Sequence, residues 1–162
     1  MKLLRNCTIF ILSISILTML SLASWQQGSS LISNSLPIKL TINADSPIYI
    51  DGNGNFTDYG FSGTGDVGTP YLIQDLIINA SGDSAHGIYI ANTTAYFIIQ
   101  NCTITNADTG FSGIRLENVT HGKIMNNTMV YNSHGIYVWN SNNNTICDNN
   151  VTNNLGTGLN GH

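Results

Sequence analysis

Residues 87–106, 113–132 and 135–154 read GIYIANTTAYFIIQNCTITN, GIRLENVTHGKIMNNTMVYN and GIYVWNSNNNTICDNNVTNN. Aligned on their first glycines, the three stretches match without gaps. One place on stand Ile88, Ile114 and Ile136, and three on Ile90, Leu116 and Val138. Five on stand Asn92, Asn118 and Asn140, eleven on Ile98, Ile124 and Ile146, and fourteen on Asn101, Asn127 and Asn149. Gly87, Gly113, Gly135 and Gly158 are thus 22 to 26 residues apart. A looser earlier copy begins at Tyr71, where YLIQDLIINA matches FIIQNCTITNA from Phe97.

A period of this length marks a solenoid. The frame of leucine-rich repeats is absent, and no stretch carries helical periodicity. Short alternating segments such as Gly-Ile-Tyr-Ile put Ile on one face and Tyr on the other. Asparagine suits tight corners and can bond to an identical residue one rung away. The expected fold is all-β, a right-handed parallel β-helix of about four coils. Its structural Asn ladders are expected at Asn92, Asn118 and Asn140 and at Asn101, Asn127 and Asn149.

Composition agrees. The 162 residues hold 22 asparagines and 16 glycines, but only 9% are charged, against a usual ~25%. That excludes coiled coils. A net charge of −4, with a single arginine beyond the first five residues, excludes a nucleic-acid footprint.

Working outward, Lys2, Arg5 and the apolar run 9–22 form a leader, with Ser21-Leu22-Ala23 suited to cleavage. Residues 1–23 are expected to be a signal peptide or an N-terminal membrane anchor. Residues 24–36 form a Ser-rich linker, 37–70 an entry or cap segment, and 71–162 the repeats. The chain stops just after a coil opens at Gly158, so a C-terminal truncation is expected, with an open edge that pairs with missing coils or another chain. The protein is therefore expected outside the cytoplasm, secreted or at the cell surface. Sequons beginning at Asn55, Asn79, Asn92, Asn101, Asn118, Asn126, Asn143 and Asn150 acquire meaning there, with at most a few expected to carry sugar.

The frame Asn-x-Ile/Val-x-x-Asn-x-x-Gly-Ile-x-Val resembles the right-handed parallel β-helix repeats of NosD-like proteins, within a broader group of carbohydrate-binding and sugar-hydrolase β-helices. GNFTDYGFSGTGDVGTPYLIQDLIINA, from Gly54, resembles the entry segment of exported archaeal β-helix proteins. The resemblance covers about residues 50–160. It implies a β-helix and a link to copper-centre maturation, although no copper motif carries over residue by residue.

Coil geometry sorts the remaining residues. With rungs ~4.8 Å apart, Cys102 and Cys147 fall two rungs apart and offset, beyond disulfide reach, so two free thiols are expected. His86 and His134 are too far apart to share one ion and read as turn histidines in solvent. Asp51-Gly52-Asn53-Gly54-Asn55 opens like a calcium loop but lacks its later Gly and Glu, so it reads as a turn. No metal or cofactor is expected. Glu117 has Ala91 and Trp139 in its column, which supplies no adjacent acid for glycoside hydrolysis. What remains is a surface. Tyr89, Arg115 and Tyr137 share one outward column, and Glu117 and Trp139 stand in the next. Aromatic faces suit sugar C–H faces, and Arg and Glu bond hydroxyls. The expected function is a non-catalytic, exported module that binds polysaccharide there. The alternatives are a fragment of a β-helix lyase or hydrolase and a NosD-like periplasmic helper of metal insertion.

Overall fold

The computed structural model describes residues 46–161. The expected leader and linker lie outside the described residues. Thirteen short strands run Ile48–Asp51 (β1), Tyr71–Gln74 (β2), Ile77–Asn79 (β3), Ile88–Thr93 (β4), Phe97–Gln100 (β5), Thr103–Thr105 (β6), Ser112–Val119 (β7), Gly122–Met125 (β8), Thr128–Val130 (β9), His134–Trp139 (β10), Thr145–Cys147 (β11), Asn150–Thr152 (β12) and Leu159–Gly161 (β13). They form three sheets, in the orders β1-β4-β7-β10-β13, β2-β5-β8-β11 and β3-β6-β9-β12. Every strand pair in them is parallel. The chain visits the sheets in turn, one strand each per coil, so the fold is a parallel β-solenoid of about four turns. β1 lies within 37–70 and is already the first rung of its sheet.

Apolar columns line the inside. Ile48, Ile88, Ile114, Ile136 and Leu159 are register partners in the first sheet, as are Ile50, Ile90, Leu116 and Val138. Ile73, Ile99, Ile124 and Ile146 line the second. Ile78, Ile104, Met129 and Val151 line the third. Most of these are fully buried, and each such side chain contributes about 1.5–3 kcal/mol of transfer free energy. Branched Ile dominates because its stiff χ1 suits a pleated wall.

The first end of this core is plugged by residues between β1 and β2. Phe56 is fully buried and stacks on Tyr71 with centroids 4.5 Å apart. A 3-10 turn, Thr57–Tyr59, follows. The Tyr59 hydroxyl accepts from the Tyr49 N–H at 2.9 Å and donates to the Tyr49 carbonyl at 3.1 Å. It thereby covers part of an edge that would otherwise invite pairing. The Leu72 N–H reaches the Ser62 carbonyl at 2.8 Å and does the same for β2. Asp51 ends β1, and residues 52–55 form a turn in which Asn53 Oδ1 accepts from Thr93 Oγ1 and the Thr94 N–H.

The corners differ in one respect from a gapless repeat. Thr93 pairs with Val119, 26 residues on, but Phe97 pairs with Gly122, 25 on. The coil is one residue longer between those points. Ile99, not Ile98, therefore partners Ile124, and Cys102, not Asn101, stands over Asn127. Asn127 and Asn149 form an inward ladder: Asn127 Nδ2 donates to Asn149 Oδ1 at 3.0 Å, and Asn127 Oδ1 accepts from the Cys102 N–H at 2.9 Å. Asn101 belongs to an outer corner row in the left-handed backbone region, where its Nδ2 meets Asp75 Oδ1 at 3.5 Å. Asn92, Asn118 and Asn140 occupy another left-handed corner, with φ of 51°, 55° and 47°. Asn tolerates that region better than other non-Gly residues. Asn118 Nδ2 donates to Asn92 Oδ1, and Asn92 Nδ2 to Asp51 Oδ1, both at 2.8 Å.

Cys102 imitates the amide it replaces. Its thiol points to the Ile73 carbonyl at 3.7 Å and the Gln100 carbonyl at 3.3 Å. Asn149 Nδ2 makes the equivalent bonds, to Ile124 and Cys147, at 2.9 Å each. A thiol is a weak donor. Cys102→Asn is expected to raise stability by about 1 kcal/mol, because a strong donor replaces it and the amide oxygen can accept from the Leu76 N–H. Urea titration of both proteins checks this; a lower midpoint for the variant would show that the corner cannot admit the larger side chain. Cys102 and Cys147 are both free, and burial pushes the Cys102 thiol up to about 11.

Candidate functional site

The outer face of the first sheet carries the aromatic row. Tyr49, Tyr89, Arg115 and Tyr137 are successive register partners, as are Asp51, Ala91, Glu117 and Trp139 beside them. The inward Ile columns dictate this, since alternate residues of a strand face opposite ways. Ala91 is nevertheless buried, whereas Trp139 is 44% and Tyr49 58% exposed.

The row is tied together by ring contacts and one ion pair. The Tyr49 and Tyr89 rings lie 5.1 Å apart. The Arg115 guanidinium carbon lies 5.9 Å from the Tyr89 centroid and 5.0 Å from that of Tyr137, within cation–π range. Glu117 Oε2 accepts from Arg115 at 2.8 and 3.1 Å and from the Tyr89 hydroxyl at 3.1 Å. These donors, Arg115 foremost, hold the Glu117 carboxyl below its usual range. The Tyr89 phenol is pushed up to about 12, by desolvation first and then by its bond to Glu117. An acid held ionised in this way is not the proton donor that glycoside cleavage requires.

Beside the row lies a groove of ≈ 380 Å³ lined by Tyr49, His86, Tyr89, Phe111, Arg115 and Glu117, among others. It is within the usual range for small-ligand sites. Its other wall comes from corners. Ala107 stands over Asn132, and Ser112 and His134 are register partners, yet the chain runs five residues from Ala107 to Ser112 and only two from Asn132 to His134. The longer corner carries Phe111, which meets His86 edge-on at 5.2 Å. His86 in turn stacks on Tyr89 at 5.5 Å. It is therefore a groove residue and not the solvent histidine expected. Its Nδ1 accepts from the Ser112 N–H at 2.9 Å, which places the proton of the neutral ring on Nε2. Burial, ahead of the charge on Arg115, lowers its pKa to about 4.

Of the expected site residues, Tyr89, Arg115 and Glu117 share the groove, while Tyr137 and Trp139 flank it on the next rung. Tyr49, His86 and Phe111 were not expected. Tyr49 had a signal in the sequence: Ile48-Tyr49-Ile50 repeats Ile88-Tyr89-Ile90.

The soft and nitrogen donors of the described residues do not gather into a copper set. Cys102 is buried with its thiol protonated. His86 Nδ1 is occupied by Ser112. The His121 ring stacks on Tyr96 at 4.3 Å. Met125 and Cys147 are register partners. Among the described residues no three His, Cys, Asp or Glu side chains converge, so they do not fit the His2Cys type of copper centre.

No curated protein and no solved structure matches the chain. A family model described as "Periplasmic copper-binding protein (NosD)" matches residues 23–161. The periplasmic description agrees with an extracytoplasmic β-helix module. The match spans most of the sequence, and with the parallel solenoid it places the chain in the NosD family.

Proposed function

We propose that this chain is a non-catalytic module, exported to the cell surface, that holds polysaccharide along the outer face of the first sheet. The observation that carries the reading is the unbroken row Tyr49, Tyr89, Arg115, Tyr137, one residue per rung. A polymer crossing the rungs meets a flat π or guanidinium face every ~4.8 Å. Apolar ring faces suit sugar C–H surfaces, and the guanidinium and carboxylate supply directed hydrogen bonds. The row is already fixed by its own contacts, so binding orders few side chains.

Affinity electrophoresis of the full chain through gels containing individual polysaccharides tests the reading. Tyr137→Ala and Trp139→Ala are each expected to weaken retention about tenfold, or ~1.4 kcal/mol. Both lie beside the groove rather than in the Arg115–Glu117 pair, so the pair stays intact. Unaltered affinity in both variants would remove the platform.

A further inference from the structure

The charge arrangement in the groove carries a statement about which sugars it takes. Resting on the polysaccharide reading above, we infer that the groove selects uncharged sugar chains and rejects uronate-containing or sulfated ones. Among the described residues, Arg115 is the single guanidinium on this face, and it is not available as an anion receptor. Arg115 directs two N–H groups at Glu117 Oε2, at 2.8 and 3.1 Å, and both groups are about one quarter exposed. Their charges cancel within the site. The remaining N–H groups of Arg115 can still donate to a hydroxyl. The bonds from Arg115 and Tyr89 all fall on Glu117 Oε2, which leaves Oε1 to accept.

A sugar hydroxyl both donates and accepts, so it fits beside this pair of functions. A ligand carboxylate or sulfate only accepts. Placed on the same groups it meets Glu117 as a like charge, which is unfavourable at ~4–6 Å. His86 cannot help, because it is neutral, with burial as the first cause of its lowered pKa. The wider field points the same way. The described residues hold two cations, Arg115 and Lys123, against eight acids. Asp51 stands in the Glu117 column two rungs away. Lys123 lies on β8, in a different sheet.

The test compares neutral polymers (a glucan, a mannan and a galactan) with polygalacturonate, using the full chain in affinity gels. Wild type is expected to be retarded by at least one neutral polymer and to run unretarded in polygalacturonate. Glu117→Gln frees the guanidinium and is expected to gain at least fivefold retention in polygalacturonate, a gain that disappears in high salt. The far-ultraviolet dichroism of the variant reports whether the coil is intact. Polygalacturonate binding by wild type as tight as its binding of any neutral polymer overturns the selectivity while leaving the platform standing. A folded Glu117→Gln protein that gains nothing also overturns it. If no polymer retards wild type, the platform falls and the selectivity with it. The wild-type salt series decides independently of the variant: retention in polygalacturonate that appears as salt is lowered would contradict the charge argument.

Discussion

Gly87→Ala is expected to cost about 3 kcal/mol or more, enough to unfold much of the protein at moderate urea. The reason is space, not backbone freedom. Gly87 does not have a positive φ, unlike Gly52 or Gly110. A Cβ built on Gly87 would lie 2.2 Å from Ile104 Cγ2 and 2.8 Å from the Gly113 carbonyl oxygen. Ile104 is fully buried, so it has little room to turn, and the carbonyl is part of the next rung. The same crowding recurs at Gly113, against the Gly135 carbonyl oxygen and Met129 Cγ, both at 2.9 Å, and at Gly135, against Val151 Cγ1 at 2.1 Å. Gly87, Gly113 and Gly135 are thus points where one coil lies tight against the next and against the third sheet. Gly54→Ala is the control: nothing lies within 4 Å of its Cβ position and its φ is ordinary. Urea titrations followed by circular dichroism should separate the two variants by more than ~2 kcal/mol. Equal midpoints would mean that the rungs shift apart at little cost.

Asn132→Ala carries the second large effect, an expected loss of about 3 kcal/mol. The side chain is fully buried. Its Oδ1 accepts from the Ala107 N–H at 2.9 Å. Its Nδ2 is within reach of the Ile104 carbonyl at 3.1 Å, the Val130 carbonyl at 3.3 Å and Asn154 Oδ1 at 3.2 Å. Alanine would leave the Ala107 N–H and the Ile104 carbonyl facing a small apolar void, each at a desolvation cost of ~1–3 kcal/mol. Asn118→Ala removes a related bond at an exposed corner, where water substitutes, and should lose much less. If Asn118→Ala destabilised as much as Asn132→Ala, burial would not be what makes the inner amides matter.

The sequence announces the coil because its inward columns are nearly homopolymeric: Ile88, Ile114 and Ile136 in one line leave little choice of register. The same uniformity hides the single shift. Ile98 and Ile99 are adjacent, so a gapless alignment on Ile98 looks as good as the true partnership of Ile99 with Ile124. The gapless frame then misplaces Cys102 and puts Asn101 at the head of a ladder that Asn127 and Asn149 share with the cysteine. Composition cannot resolve a choice between two isoleucines; the constraint is the third sheet, where Thr103 must meet Thr128.

The groove was half visible. Tyr89, Arg115 and Glu117 follow from strand alternation and register alone. His86 and Phe111 come from corners whose lengths change between coils, and such loops carry no periodic signal. Their only trace is the unequal spacing of the repeat glycines, 26 and then 22 residues. The cap had a clearer chemical reason than a sequence mark. Phe56 lies in a polar turn-rich stretch, yet it is what closes the core against Tyr71 and Phe97.

The inward amides also impose a direction on assembly. Cys102 and Asn127 give their backbone N–H groups to Asn127 and Asn149, and Ala107 and Asn132 give theirs to Asn132 and Asn154. In each case the acceptor belongs to the following coil. A growing turn therefore remains incomplete until its successor has docked, like a zipper tooth awaiting the next. Deuterium uptake at these four N–H groups should consequently report the arrival of the later turn, and amides of one coil should open in step with loss of its neighbour.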